Sequence, residues 1–417
     1  MSGSPPDPAA SGHSHFGILR GLTAQILIAL VLGGLIGWRW PHLGQQLEIL
    51  ATIFVRLVLV IIAPLIFATL VVGIAGSGKL KKLGPMAVQA ISYFLIVTAV
   101  AMLLGFALGN LLQPGDGLMP PTEAAQAPLV QEEESFWVRL FPRSIVAAMA
   151  RGDVLQIVVF SLLFAVALAA SGTRGQAVLD FCRGLAEVMY RFTDLVMKLA
   201  PVGVLGASAA LVGQHGLAVG KSFLWLTIGV YAGLILVFFG LYPLLCWGFR
   251  IPVGGFFRAI KEPFAIAFAT TSSAAALPKA MEVMEGFGVP RRVVAFVLPT
   301  GYSFNLAGSS LFLGVAALFV AQAYDVGLGL GEQAVLLGTV YVASKGIPLV
   351  PRGSLVALVA GLSSFGLPAT VVGASFGFLL AIDPILDMPR TGVNVGGNCL
   401  ATALVARWQG SFSQSTR

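Results

Sequence analysis

The chain has 417 residues, 57% of them hydrophobic and only 10% charged, with a mean hydropathy of +0.91. Soluble domains carry about 25% charged residues, so the composition excludes a soluble enzyme and indicates a polytopic membrane protein. A net charge of +7 would suggest nucleic acid in a soluble chain; here the charges cluster in loops between apolar runs, and no nucleic-acid partner is expected.

Residues 1–16, opening MSGSPPDPAASGHSH, are polar and Pro/Ser-rich and read as a disordered cytoplasmic tail. They lack the basic start of a signal peptide, so the apolar run GILRGLTAQILIALVLGGLIGW reads as a retained first span. About 20 apolar residues cross a bilayer as a helix. Spans are predicted near 17–38, 49–76, 86–112, 154–170, 176–213 and 222–248. The fifth is unusual, because LDFCRGLAEVMYRFTDLVMKLAPVGVLG carries charges at helical spacing and should lie tilted or against protein. The loop GSGKLKKLG is basic without an acid, whereas residues 114–150 hold Asp116, Glu123 and the run QEEESF. Excess Lys and Arg marks the cytoplasmic side, which places the N-terminus inside, the acidic loop outside, and Arg250, Arg258 and Lys261 back in the cytosol.

Past residue 250 the apolar segments are broken at their middles. AFATTSSAAALPKA is two short apolar pieces joined by hydroxyl residues and Pro278. VLPTGYSFNLAGSSLFLGVAALFVA is a span interrupted at Asn305 and Gly308. VYVASKGIPLVPRGSLVALVAGL repeats the first type, with Pro348, Pro351 and Gly353 at its centre; the span over 369–408 repeats the second, with NVGGN as its interruption. Irregular backbone at membrane depth survives only where protein or water satisfies it. Gly/Pro-interrupted segments in corresponding positions point to a transport site near the midplane.

The last of these spans holds DPILDMPRTGVNVGGN. Asp383, Asp387, Arg390, Asn394 and Asn398 are spaced 4, 3, 4 and 4, so on a helix turning roughly 100° per residue they form one polar stripe. Intramembrane ionisable groups are costly and mark sites. Arg390 offers a planar fork for a carboxylate, and Asp387, one turn earlier, can accept from an ammonium group. The two could equally neutralise each other. Asn305, Asn394 and Asn398, with carbonyls freed at broken helices, are hard oxygen ligands for a small cation. Half-helix N-termini at the hairpin tips suit a second carboxylate. No GxSxG, HExxH, P-loop or Cys/His cluster competes, so no enzyme is expected. Cys182, Cys246 and Cys399 read as structural thiols, and Glu282 and Glu285 as solvated charges.

These motifs carry a resemblance. TTSSAAALP, PTGYSFNLAGSS, SKGIPLVPRGS and DPILDMPRTGVNVGGN, in that order across 250–410, together with LLQPG closing the third span, resemble the dicarboxylate/amino acid:cation symporters, the glutamate-transporter family. The resemblance implies an all-α polytopic fold of about eight transmembrane helices and two re-entrant helical hairpins, with inverted repeats. It implies a homotrimer in the bacterial inner membrane, surrounded by lipid, with both termini cytoplasmic, including the tail 411–417. Within 17–250, spans 1, 2, 4 and 5 would form the trimerisation scaffold. Spans 3 and 6 would join 251–410 (hairpin 1, span 7, hairpin 2, span 8) in a transport domain that moves as an elevator.

Carried over by position, Arg390 would hold the substrate's side-chain carboxylate and Asp387 its ammonium group. Thr391, Asn394, Ser309, Ser272 and Ser273 would complete the pocket, with Val350, Pro351, Gly353 and Ser354 from the second hairpin. Gly301, Ser303, Asn305, Leu306, Ser344, Asn394, Asn398 and Asp383 would serve cations, Na+ or H+. No cofactor is implied beyond bound Na+. Family members that take dicarboxylates lack an aspartate at the position of Asp387, so L-aspartate or L-glutamate is the expected substrate. A C4-dicarboxylate:cation symporter, or a transport-deficient sensor or anion channel of the same fold, are the alternatives. Three departures bear on the ions. The family's NMDGT-like element is NLAGS here, placing Ala307 where an aspartate is usual; Val97 stands at a usual hydroxyl position, beside Thr98; and Asn398 replaces another aspartate. Fewer carboxylates weaken at least two cation sites. Arg352, at the second hairpin's tip, is larger than the residues usual there.

Overall fold

The computed structural model describes residues 22–75, 80–116, 118, 138, 141–346, 353–367 and 369–413. The N-terminal tail, the acidic run QEEESF, Val350, Pro351, Arg352 and the last residues of the C-terminal tail lie outside the described residues. Every regular element among those described is helical.

The first half follows the predicted spans. Helices α1 (Leu22–Arg39), α2 (Pro41–Gln46) and α3 (Glu48–Ala75) lead into α4 (Leu80–Leu112). After the acidic segment come α5 (Ile145–Arg151) and α6 (Val154–Ala170), each capped at its start by a side chain. Ser144 accepts from the Ala147 amide and Asp153 from the Gln156 amide. The anomalous fifth span is two helices, α7 (Gln176–Met197) and α8 (Ala200–His215), meeting at 50°. Helix α7 buries Leu179, Cys182, Ala186, Met189 and Thr193 on one face. Its charges lie on the other face, where Arg183 pairs with Asp180 and Arg191 with Glu187. Helix α9 (Val219–Leu236) passes through a π-turn at Val237–Leu241 into α10 (Tyr242–Gly248), with Pro243 at the junction.

In the second half, α11 (Val253–Thr270) and α12 (Ser273–Gly286) form the first hairpin. Its tip turns on Thr271, held at φ 52°, and Ser272 caps α12. Helices α13 (Arg291–Phe304) and α14 (Ala307–Ala323) are one span broken at Asn305 and Leu306; the break at Asn305 is as the sequence predicts, whereas Gly308 lies within α14. The second hairpin pairs α15 (Leu330–Ala343), continued by a 3-10 turn at Ser344–Gly346, with α16 (Gly353–Phe365). The final helix α17 (Ala369–Trp408) departs from expectation. It runs unbroken for 40 residues through NVGGN, with Pro384 and Pro389 inside it. The glycines there serve close packing and not a break: a Cβ on Gly396 would stand 3.0 Å from Phe238, and one on Gly397 would collide with the Tyr242 hydroxyl.

Among the described residues, five helices or helix pairs are long and apolar enough to cross a membrane, and α7 with α8 makes a sixth as one bent span. The apolar parts of α1 and α6, residues 24–39 and 156–170, are shorter than a full crossing. Helix α8 packs on α1 and α3, and α3 also packs on α6 and α7. Helices α4 and α9 pack instead on α14. The α4–α14 crossing is very close: a Cβ on Gly105 would collide with the Leu311 carbonyl, and one on Gly314 with the Met102 carbonyl. Small residues permit such approach where apolar burial cannot drive association in lipid. Helix α17 is enclosed by α11, α12, α13, α14 and α16.

Candidate functional site

The polar stripe of α17 faces protein along its length. Asp383, Arg390 and Asn398 are fully buried, and Asp387, Thr391 and Asn394 nearly so. A charge at that depth is tolerable only when paired and hydrogen-bonded. Arg390 Nη2 donates to Asp387 Oδ1 at 2.7 Å and to Asp383 Oδ1 at 2.9 Å. The Thr391 hydroxyl reaches Asp387 Oδ1 at 3.4 Å, and the guanidinium carbon lies 4.4 Å from the centre of the Phe312 ring. Arg390 Nε and Nη1 are buried without a partner among the described residues. Between them they carry three of the five guanidinium N–H donors. The sequence left open whether Asp387 and Arg390 neutralise each other; in the structure they do pair, but most of the donor capacity is unspent.

One turn along, Asn394 bridges to α14. Its Oδ1 accepts from the Ser309 amide at 3.2 Å and its Nδ2 donates to Ser309 Oγ at 3.0 Å. Gly308 lets the two helices meet, since a Cβ there would stand 2.6 Å from the Arg390 carbonyl and 3.2 Å from Asn394 Oδ1. A further turn along, Asn305 Nδ2 donates to Asn398 Oδ1 at 3.1 Å, while Asn305 Oδ1 and Asn398 Nδ2 have no partner among the described residues. Gly301 faces the same place, where a Cβ would collide with Asn398 Oδ1. The Tyr93 and Tyr302 hydroxyls are likewise buried and unpartnered among the described residues. The break between α13 and α14 follows from this geometry. The Asn305 amide closes on the Gly301 carbonyl and the Leu306 carbonyl accepts from the Ser310 amide, leaving the turn between them irregular and facing α17.

The other predicted residues distribute as follows. Ser272 and Ser273 stand at the start of α12, and Gly353 and Ser354 at the start of α16; both helices pack on α17. Neither pair is hydrogen-bonded to the Arg390 group. Ser344 Oγ donates to the Tyr341 carbonyl at 2.6 Å. Asp383, expected among the cation residues, is engaged with Arg390. Ala307 and Val97 are buried and supply no side-chain oxygen. Sequence reasoning missed Phe312, whose place three residues after Ser309 on the same face of α14 was the available signal. Among the described residues no group of three His, Cys, Asp or Glu could hold a metal ion, and the three cysteines are buried and free.

The model of the sodium:dicarboxylate symporter family matches residues 22–408. The chain is 39% identical to the proton/glutamate-aspartate symporter of Bacillus subtilis (strain 168), covering 94% of this chain and 95% of that one. It is 37% identical to the proton/sodium-glutamate symport protein of Geobacillus stearothermophilus, over 94% of this chain and 96% of the other. It is also 37% identical to C4-dicarboxylate transport protein 1 of Mesorhizobium japonicum, over 94% and 83% of the two chains.

Proposed function

Since the chain belongs to the sodium:dicarboxylate symporter family, we propose that it is a secondary symporter importing L-aspartate or L-glutamate together with cations. One observation carries this reading: a fully buried guanidinium with unspent donors lies beside a carboxylate that can accept an ammonium group. A side-chain carboxylate would take Arg390 Nε or Nη1, and the substrate ammonium would take Asp387. The α-carboxylate would face the N-termini of α12 and α16, where Ser273 and Ser354 stand.

Formal charge favours the amino acid. Arg390 with Asp383 and Asp387 sums to −1; aspartate or glutamate adds −1, whereas a C4-dicarboxylate adds −2. Like charges confined at low dielectric are costly, so the zwitterion needs fewer accompanying cations. Asn305, Asn394 and Asn398 with the irregular backbone from Gly301 to Leu306, including the Ser303 carbonyl, and Ser344 at the second hairpin, are the oxygen set for those cations. Asparagine in place of a carboxylate keeps an oxygen ligand but removes a charge, which weakens cation binding.

Packing supports the division of labour. Helices α1, α3, α6, α7 and α8 associate with one another and would form the scaffold of a homotrimer in the inner membrane. Helices α4 and α9 associate with α14 and would move with the hairpins and α17. Counting α1 and α6 as spans gives eight transmembrane passes, with the chain termini in the cytosol.

The second reading, a C4-dicarboxylate symporter, is favoured by the direct Arg390–Asp387 contact, which leaves Asp387 engaged within the protein. Uptake of labelled L-aspartate and succinate into proteoliposomes under imposed proton or sodium gradients separates the two. Aspartate uptake abolished by Arg390→Ala is expected. Succinate uptake without aspartate uptake would overturn the role given to Asp387.

A further inference from the structure

A second partly buried cation lies away from α17. Lys345 sits on the turn Ser344–Gly346 just past the end of α15. Its Nζ donates to Thr98 Oγ1 on α4 at 2.7 Å and stands 4.0 Å from the centre of the Tyr341 ring. Thr98 is fully buried and directs its own proton to the Phe94 carbonyl at 2.6 Å, so its oxygen is turned toward the ammonium as an acceptor. The Tyr341 hydroxyl donates to the Leu95 carbonyl at 2.7 Å and lies 3.4 Å from Thr98 Oγ1. Among the described residues no carboxylate forms an ion pair with Lys345.

A lysine drawn partly out of water for stability alone is ordinarily matched by an acid. This one is held by a hydroxyl oxygen and an aromatic face, at the end of a helix whose last carbonyls make that end negative. Those are the groups that hold a small monovalent cation. The turn also packs on α3, α6, α13 and α16, so the charge lies where α4 and the tip end of α15 meet the first half of the broken span.

We propose that Lys345 is a tethered cation: its ammonium occupies the place a free monovalent cation would take between α4 and the tip end of the second hairpin's first arm. The inference rests on the symporter reading and deepens it. One cation place is filled permanently by the chain itself, the end of that arm is fixed without an ion, and the fixed charge repels a second cation from the same place. The count of cations carried with substrate is lower by one for this reason, in addition to the loss of carboxylates at Ala307 and Asn398.

The test uses the purified full-length protein without substrate. Thermal unfolding of wild type, Lys345→Ala and Lys345→Arg is measured in choline chloride, sodium chloride and methylammonium chloride at equal ionic strength. Lys345→Ala should melt below wild type in choline. It should recover in sodium or methylammonium by about 2–4 °C more than wild type responds. Lys345→Arg, which keeps the charge, should behave as wild type. A Lys345→Ala protein whose melting is unchanged in choline, or falls and is not restored by either cation, overturns the proposal and leaves Lys345 an anchor only. Where the alanine variant does not accumulate, Lys345→Gln takes its place with the same two outcomes. Because no substrate is present, this result stands apart from the uptake assay that decides the acidic amino acid reading.

Discussion

The two halves of the molecule meet the membrane differently. In the windows that test as spans, 94% of the residues in α13–α14 and 76% of those in α17 are buried inside the protein, against 39% in α4 and 39% in α9–α10. The enclosed segments are the ones that carry a break or a polar stripe; the more exposed segments are apolar. A broken helix or a charged stripe cannot face hydrocarbon, because every unpaired backbone or charged group there is costly. Among the described residues the first half therefore leaves much of its apolar surface exposed, whereas the second half buries its polar groups inside the protein.

That contrast can be tested, beginning with the largest effect. Arg390→Ala leaves the Asp383 and Asp387 carboxylates buried without their cation. Breaking one partner out of such a group costs about 3–5 kcal/mol. Uptake in proteoliposomes should be lost, and thermal unfolding should move markedly lower. Leu311→Ala opens a cavity at the α4–α14 crossing, where the side chain is fully buried. A loss of about 2–5 kcal/mol is expected, read by denaturant unfolding in detergent; a loss under 1 kcal/mol would mean that this crossing is not tightly packed. Asn305→Ala removes the donor to Asn398 Oδ1, costing about 1–3 kcal/mol, and should weaken cation dependence of uptake more than it weakens substrate affinity. At the small end, Val60→Ala on α3, 63% exposed, should change stability by less than about 0.5 kcal/mol. An effect as large as that of Leu311→Ala would show that this face is covered by another subunit and not by lipid.

Legibility in the sequence tracked the same division. The helices of the first half could be read because apolar runs bounded by charged loops are a direct signature of hydrocarbon thickness, and the charges at helical spacing on α7 marked that segment as unusual. The breaks at Thr271 and at Asn305 were legible because hydroxyl, Asn and Gly residues interrupt otherwise apolar runs. NVGGN misled for the same reason: its glycines look like a break, yet Gly396 and Gly397 are there so that Phe238 and Tyr242 can close on an intact helix. Which of two structural reasons a glycine serves depends on what packs against it, and no local pattern holds that information.

The sequence by itself determined that this is a membrane protein, where its apolar helices fall, and that one face of α17 collects two aspartates, an arginine and two asparagines. Those follow from hydropathy and from a helical period of 3.6 residues, both properties of neighbours along the chain. Only the tertiary structure decided how those groups are satisfied. Arg390 takes both aspartates and the Phe312 ring with donors left over. Asn394 and Asn398 join α14 and the turn before it, and Lys345 reaches 247 positions back along the chain to Thr98. The physical reason is that a buried polar group takes whichever partner three-dimensional packing brings within about 3 Å, and here those partners come from helices far apart in the chain.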